Sequence, residues 1–395
     1  MIYILVFILL LIPVIRYDLM AKTGGEEKWY YLNLVVLILL AGLRYRVGGD
    51  TLMYMSMYDD MPAMDELRYF DFEEALYNPG WYVYVSVFRS MSDDFLLFQF
   101  VQAVIVNVVF FRFFKKYSPQ YYFSAILLYY IGYYCYFNME IMREIICVCI
   151  LMLITPFLIE KRWIWYYAGC ILAIQFHYSA AVMLVIPLFY LFLKNPSWKW
   201  MLAIILAVVL LTKVVNIMAV LVGVVSQNDQ LVELVEKYSD DSSNIAGMFV
   251  QLIACLPLVG LMYIRSNYKI DYHDRFVPMA MGVVFAYSFA MSFFAFSRLA
   301  NYFIPFVLVF TVHTVYYFIS SFRAKMFQLS YTVMTCSLML MFFNYYYYYM
   351  RDMSVHYPNT RFNVIFSPYH SVFDPEIEEH RERFLENYRD VVFLF

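Results

Sequence analysis

Apolar segments follow one another along almost the whole chain, and they constrain its fold more than any other feature. Runs such as IYILVFILLLIPVI, LNLVVLILLAG and MLAIILAVVLL contain no charged residue, and 64% of the 395 residues are hydrophobic against 15% charged. A water-soluble domain does not expose such runs, and a backbone in lipid must form its hydrogen bonds internally. The sequence therefore predicts an all-α polytopic integral membrane protein.

The lysines and arginines of the polar links predict the topology. If the N-terminus faces outward, every cytoplasmic link carries at least two basic residues, as expected from the positive-inside rule. This arrangement gives about twelve transmembrane helices and returns the C-terminus to the outside. The predicted spans are roughly 1–15, 29–44, 95–112, 121–138, 142–160, 163–176, 178–193, 200–223, 246–264, 276–295, 300–320 and 327–346.

Three segments are shorter than an ordinary span. Segment 79–90 is too short to cross and predicts a re-entrant or interfacial helix. Segments 163–176 and 178–193 predict either a long tilted pair or one broken helix with His177 at the break.

The domain organisation follows from these spans. Residues 1–350 form a membrane domain with a large extracytoplasmic loop at about 45–94, and residues 351–395 form an extracytoplasmic tail. The stretch PEIEEHRERFLENYRD in the tail predicts an amphipathic helix on the membrane surface. The first apolar segment has no preceding basic residues and no small-residue cleavage site, so we expect it to be retained.

Four arginines, Arg44, Arg46, Arg143 and Arg298, lie at or inside the ends of apolar segments. An arginine inside the hydrocarbon costs about 2.5–3.5 kcal/mol on insertion scales, so such residues usually face a polar cavity or a partner. The predicted topology places all four on the outer side together with His177. The sequence therefore predicts an anion-binding, outward-facing polar cavity.

The segments GLRYRVGGDTLMY and FNMEIMREIICV each allow a structural and a functional interpretation. In the first, Gly48–Gly49 permits a sharp turn before Asp50, and the structural alternative is two snorkelling arginines with a capping aspartate. In the second, Glu140 and Arg143 are spaced i,i+3 at the start of an apolar helix. A purely stabilising ion pair is the alternative to a functional arginine there.

Three further segments carry polar residues near the outer face. QFHYSA places His177 beside Gln175, Tyr178 and Ser179, where a hydrogen-bonded core histidine is the structural alternative. SRLANYF places Arg298 and Tyr302 one helical turn apart, and SPYHSVFDP holds Tyr369 and His370 between two prolines.

In their order and spacing these segments resemble the EpsG-like, Wzy-type polymerases of bacterial exopolysaccharide, capsule and O-antigen. The resemblance runs from about Gly42 to Phe373. It includes the Asn–Pro–Gly before Trp81, and it departs from the family at Glu144, where glutamine is common.

The resemblance implies transfer of a glycan from one undecaprenyl-diphosphate carrier onto the non-reducing end of another lipid-linked repeat unit at the outer leaflet. Arginine suits a diphosphate leaving group, and a carboxylate or histidine suits a general base. We expect catalytic roles for Asp50, His177 and Arg143. We expect substrate-binding roles for Arg44, Arg46, Arg298, Tyr302, Glu140, Tyr369 and His370.

No cofactor or metal is expected, because the acidic residues form no DxD-type pair and the His, Asp and Glu spacing suggests no zinc site. The expected partners are undecaprenyl-diphosphate-linked oligosaccharides, the lipid bilayer, and possible chain-length regulator and flippase proteins, with no nucleic acid. The expected location is the bacterial inner membrane, with the active site on its periplasmic side.

Two other functions fit the same residues. An O-antigen-ligase-like or other lipid-linked-sugar glycosyltransferase would use the same donor chemistry with another acceptor. A flippase or other transporter for the lipid-linked glycan would use the arginine cavity for transport, although related halves with a midplane site are not evident.

Overall fold

The computed structural model describes residues 1–72, 75–192, 197–214, 245–268, 276–290, 294–322, 328–355 and 357–392. The acidic segment 226–244, which the predicted topology places in an outer loop, lies outside the described residues, as do several basic residues of the predicted cytoplasmic links. Those basic residues are Lys194, Lys269, Arg275, Arg323 and Lys325.

The chain divides into two compact units, and each is described by itself. The first contains Met1–Leu184 and Thr360–Leu385. Its helices are α1 (Ile2–Pro13, continued by a π-helical turn at Val14–Leu19), α2 (Glu26–Gly42), α3 (Thr51–Asp60), α4 (Pro79–Arg89), α5 (Phe95–Tyr117), α6 (Tyr122–Gly132), α7 (Tyr134–Met139), α8 (Met142–Ile159) and α9 (Trp163–Ile174). Short 3₁₀ segments cover Leu67–Tyr69, Tyr178–Val185 and Phe362–Ile365.

The second unit contains Val185–Asn359 and Glu386–Phe395. Its helices are α10 (Ile186–Phe192), α11 (Trp198–Val214), α12 (Ile245–Tyr268), α13 (Val277–Ala290), a 3₁₀ segment at Phe294–Tyr302, α14 (Ile304–Phe322) and α15 (Gln328–Met350). The last helix, α16 (Glu379–Val392), begins in the first unit and ends in the second.

Where the structure describes them, the predicted apolar segments lie in helices, and the described residues form no extended strand. Among the described residues, three helical segments are long and apolar enough to cross a membrane: Ile2–Leu19, Phe95–Tyr117 and Met142–Ile159. A fourth span is added if Phe296–Tyr302 and Ile304–Ser320, which meet at 60°, form one broken crossing. The protein is therefore a helical membrane protein, and about twelve crossings remain a prediction.

The structure also refines several predicted boundaries. The predicted outer loop contains the helix α3, and the predicted span 121–138 is interrupted at Tyr133, between α6 and α7. Helix α9 ends at Ile174, as in the broken-helix alternative, and His177 lies between α9 and the 3₁₀ segment Tyr178–Val185.

Helix α5 fixes the ends of two neighbouring helices. The Gln99 side-chain amide donates to the carbonyl oxygens of Gly42 (2.8 Å) and Arg44 (2.9 Å), at the end of α2. The Gln102 amide donates to the Met142 carbonyl (2.7 Å), at the start of α8. The last carbonyls of a helix have no intrahelical partner, so Gln99 satisfies acceptors at the end of α2, and Gln102 adds a second bond to the first residue of α8. The end of α2 and the start of α8 are therefore held by the same helix.

The C-terminal tail returns to the end of α2. The Tyr45 N–H donates to the His370 carbonyl (2.9 Å), and the Val372 N–H donates to the Leu43 carbonyl (3.0 Å). In α16, Phe384 and Leu385 are buried within the protein. Part of the apolar side of this helix therefore faces protein, and its contact with the membrane surface stays a prediction.

Candidate functional site

The Arg44 side chain is buried and donates hydrogen bonds to backbone carbonyls within the protein. Its side chain is 2% exposed, its Nε donates to the Val47 carbonyl (3.0 Å), and its Nη1 donates to the Ala41 carbonyl. Its Nη2 lies 4.0 Å from the Met142 sulfur. This arginine does not snorkel to the interface. It caps the end of α2 from within the fold.

Arg46 is paired with the tail. Its Nε and Nη2 both donate to the carboxylate of Glu382, the second at 2.9 Å. Hydrogen bonding to this carboxylate raises the pKa of Arg46. A bidentate arginine–carboxylate pair has a defined geometry, so Arg46 is oriented toward α16.

The Gly48–Gly49 turn lies close to the corner between α7 and α8. Gly48 has a φ of +118°, and a Cβ there would lie 2.5 Å from the Met139 carbonyl oxygen. A Cβ on Gly49 would lie 3.5 Å from the Oε2 of Glu140. Asp50 follows at the N-cap position of α3, but its side chain makes no capping hydrogen bond. The turn therefore places Asp50 near the Glu140–Arg143 corner, and its carboxylate does not cap α3.

Arg143 stands at the beginning of α8 among aromatic residues. Its guanidinium carbon lies 4.4 Å from the ring centroid of Tyr77, and its charge opposes the rise that burial causes in the pKa of Tyr54. Its Nε is buried and has no hydrogen-bond partner among the described residues. An unused buried donor costs free energy, and an acceptor at this position would relieve that cost.

The charges of Asp50 and Arg143 shift the pKa values of the same two tyrosines, Tyr54 and Tyr77, in opposite directions. Burial raises the pKa of Tyr54 to about 12, Arg143 opposes this rise, and Asp50 adds to it. Burial likewise raises the pKa of Tyr77, again with Arg143 and Asp50 acting in opposite directions. Both hydroxyls are therefore protonated at neutral pH. A carboxylate and a guanidinium stand within electrostatic reach of one pair of rings.

Glu140 is 9% exposed and lies before α8, since that helix begins at Met142 and Ile141 occupies its N-cap. The predicted i,i+3 relation on one helix face therefore does not apply to Glu140 and Arg143. The corner points Glu140 toward Gly49 and Arg143 toward the tyrosines.

The Asn78–Pro79–Gly80 segment packs on the end of α9. The Asn78 amide donates to the Ile174 carbonyl (2.9 Å), and a Cβ on Gly80 would lie 2.7 Å from the Gln175 Cβ. The residues before His177 are thus fixed to the outer loop. Trp81 is fully buried, and its indole N–H donates to the Met57 sulfur (3.2 Å).

His177 is half-buried, and its ring is engaged by Ser179. The Ser179 backbone N–H donates to Nδ1 (3.2 Å), and the Ser179 hydroxyl lies 2.6 Å from the same atom. Because Nδ1 accepts from the backbone, Nε2 carries the proton in the neutral ring. His177 therefore offers a donor at Nε2 rather than a basic lone pair.

Tyr369 and His370 belong to the tail that pairs with the 43–48 segment. The Tyr369 hydroxyl donates to the Leu40 carbonyl (3.0 Å), and burial raises its pKa to about 12, against the effect of Arg44. His370 is 8% exposed, and its ring nitrogens lie 3.8 Å from the carboxylates of Glu376 and Glu378. Both residues therefore lie in the part of the tail that hydrogen bonds to residues 43–48.

Arg298 and Tyr302 belong to the second unit. They lie in the 3₁₀ segment Phe294–Tyr302, where residues three apart share a face, so the predicted α-helical turn does not relate them. Tyr302 is fully buried, and Arg298 is half-buried.

Sequence reasoning missed Tyr54, Tyr77, Arg381 and Glu382. Tyr54 could have been found, because it lies four residues after Asp50 in a segment that now forms α3. Tyr77 and the two α16 residues, Arg381 and Glu382, approach the site only through tertiary structure. No spacing in the sequence links them to it.

Within the described ranges, no group of three or more His, Cys, Asp or Glu side chains is arranged to hold a metal ion.

Comparison with known proteins identifies one related group. A family model described as the EpsG family matches residues 28–368. No curated protein matches the chain. No solved structure matches it.

Proposed function

This chain belongs to the EpsG family of polysaccharide-polymerase-like membrane proteins, and we propose that it is a membrane glycosyltransferase that polymerises a polysaccharide. It transfers a glycan from one undecaprenyl-diphosphate-linked donor onto the non-reducing end of a second lipid-linked repeat unit at the outer leaflet. The enzyme lies in the bacterial inner membrane, with about twelve crossings and its active site on the periplasmic side.

The observation that supports this proposal most strongly is the state of Arg143. Its guanidinium lies over the Tyr77 ring and within electrostatic reach of Tyr54, and its buried Nε–H has no hydrogen-bond partner among the described residues. Diphosphate oxygens accept such hydrogen bonds, and a guanidinium stabilises their charge best where water is excluded. Arg143 therefore binds the diphosphate and stabilises it as the leaving group.

The reaction requires one bond to form and one to break. The acceptor hydroxyl oxygen attacks the anomeric carbon of the donor glycan, and the bond from that carbon to the diphosphate oxygen breaks. The electron pair leaves with the diphosphate toward Arg143. The hydroxyl proton passes to a base, for which the proposal assigns Asp50.

Asp50 suits the base better than His177. It lies at the turn packed against the corner and acts electrostatically on the same tyrosines as Arg143. His177 has its Nδ1 engaged by Ser179, so its proposed role is to donate to the substrate through Nε2. Neither role calls for a metal, in keeping with the metal-independent reaction expected above.

The other arginines divide between support and binding. Arg44 and Arg46 act through the fold, since their guanidinium groups are bonded to carbonyls and to Glu382. Arg298 is proposed to bind a second anionic group of the lipid-linked substrates. Glu140, Tyr369 and His370 are proposed to shape the surrounding site, and Tyr302 is proposed to bind substrate in the second unit. A chain-length regulator and a flippase are the proposed protein partners.

Deletion of the gene in its native host tests the function. We expect single repeat units to remain on the lipid carrier while long polymer disappears. Polymer that is still made but left unattached would instead indicate a ligase. Repeat units trapped on the cytoplasmic leaflet would indicate a flippase. Complementation with Arg298→Ala tests the second arginine, and unchanged polymer length at the normal protein level would remove its role.

A further inference from the structure

The tail helix α16 lies beyond residue 368, where the family match ends, yet two of its side chains hold the turn that carries Asp50. We propose that Arg381 and Glu382 are positioning residues of the active site. They clamp the turn at residues 46–50 against the Glu140–Arg143 corner and so set the place of Asp50 beside Arg143. This inference rests on the proposed function.

Arg381 ties three segments together. Its Nε donates to the Val364 carbonyl (3.0 Å), its Nη1 to the Arg46 carbonyl (3.1 Å) and its Nη2 to the Pro368 carbonyl. The residue is 1% exposed. A planar guanidinium that serves three carbonyls fixes their relative positions, and a lysine has no such geometry. Arg381 therefore determines where the Arg46 backbone lies relative to the tail.

Glu382 holds the same residue through its side chain. Its two carboxylate oxygens accept from Nε and Nη2 of Arg46. Arg46 has a φ of +52°, a left-handed conformation that is uncommon for residues other than glycine. Such a conformation persists when its surroundings determine it. Neighbouring residues of α16 thus hold Arg46 by its backbone and by its side chain.

The clamp reaches the site through the glycine turn. The Gly48 N–H donates to the Ile365 carbonyl (2.8 Å), and a Cβ on Gly49 would lie 3.4 Å from the Ile365 Cδ1. On its other side, the turn approaches Met139 and Glu140. The turn is therefore enclosed between the tail and the corner. Releasing the tail would free Asp50 to move away from Arg143.

A charge exchange separates positioning from direct substrate binding by Arg46. Arg46→Glu alone should remove the clamp and lower the amount of polymer, and so should Glu382→Arg. The double variant, Arg46→Glu with Glu382→Arg, restores the ion pair and should restore polymer. If Arg46 itself binds diphosphate, the double variant stays inactive, because a carboxylate then faces the substrate; that result overturns the proposal.

Arg381→Gln provides a second test, with Arg383→Gln as the matched control. Arg383 lies on the same helix but is exposed, and it pairs only with Glu379 (3.0 Å) among the described residues. Arg381→Gln should lower polymer per membrane-resident protein about 10- to 100-fold, as expected when a catalytic group is displaced by about 1 Å. Arg383→Gln should leave it unchanged. If Arg381→Gln fails to accumulate, the charge exchange carries the test.

Hydrogen exchange of the purified full chain supplies a readout that general destabilisation would not mimic. In Arg381→Gln the amides of residues 45–51 should exchange faster, while those in the middle of α8 stay protected. Unchanged exchange at 45–51, or wild-type polymer in this variant, would refute the clamp. These outcomes are distinct from failure of the proposed function, in which the gene deletion itself would leave polymerisation intact.

Discussion

The segment at residues 43–50, which includes the glycine turn and is called the turn below, and the corner at residues 140–144 are neighbours, yet they use arginine in opposite ways. In the turn, Arg44 donates to backbone carbonyls and Arg46 pairs with Glu382. At the corner, Arg143 lies over an aromatic ring and keeps a buried Nε–H without a partner among the described residues. The guanidinium groups of the turn are bonded within the fold, whereas the corner leaves one buried donor that the proposed function assigns to a ligand.

This difference teaches how to separate supporting arginines from binding ones. A buried cation needs partners, and a protein that supplies all of them internally gains rigidity but no binding capacity. A buried cation with one donor left unused pays a cost that a ligand can relieve. The comparison therefore predicts losses of stability at the turn and losses of activity at the corner.

The largest expected effect is at the corner. Arg143→Ala should lower chain elongation by at least about 100-fold, the usual consequence of removing one group that stabilises a developing negative charge. Arg143→Lys should restore only part of the activity, since lysine lacks the bidentate geometry. The measurement is polymer length and amount in cells, at matched protein levels in the membrane.

Arg162→Ala is the control for that experiment. Arg162 follows the other end of α8, is half-exposed, and lies 3.7 Å from Glu160. It should leave elongation unchanged. Normal polymer in Arg143→Ala would remove the corner from the active site and with it the contrast between the two regions.

The helices were predictable from the sequence, because the apolar runs leave the backbone no other way to satisfy its hydrogen bonds in lipid. The unusual position of Arg143 at the start of an apolar helix was also visible, and its role stays a prediction. The different use of Arg44 and Arg46 was not visible. Glu382 lies 336 residues from Arg46, and the Ala41 and Val47 carbonyls become acceptors only when α2 ends at Gly42.

The second expected effect is a loss of stability at the turn. Arg44→Met would leave the buried Ala41 carbonyl without its arginine donor and would remove one of the two donors to the Val47 carbonyl, which keeps the Thr51 hydroxyl. It should lower the free energy of unfolding by about 1–3 kcal/mol. Thermal unfolding in detergent measures this loss, and Arg143→Ala should unfold close to the wild type. If Arg44→Met is stable but inactive, Arg44 would belong with the corner as a substrate-binding residue.

A smaller effect tests how closely the two regions approach. Gly48→Ala places a methyl group against the Met139 carbonyl at a φ of +118°, and it should cost about 1–3 kcal/mol more than Gly24→Ala. Gly24 also has a positive φ, +93°, but a Cβ there meets nothing within 4 Å. The difference between their unfolding free energies isolates the contact. Equal costs would mean that the turn does not press on the corner.

The smallest effect concerns the ring beneath Arg143. Tyr77→Leu removes the cation–π contact, which is worth about 0.5–2 kcal/mol, and should reduce polymer formation by roughly two- to thirtyfold through a less well-positioned guanidinium. Tyr77→Phe keeps the ring and serves as the control.

Burial raises the pKa of the Tyr77 hydroxyl above its ordinary value, so this group stays neutral as the pH rises from about 6 to 9. Removing it therefore changes no charge in that range, and the pH profile of Tyr77→Phe should overlay that of the wild type. A profile that shifts in Tyr77→Phe would give the hydroxyl itself a part in proton transfer, and the corner would then hold a second acid–base group besides Asp50.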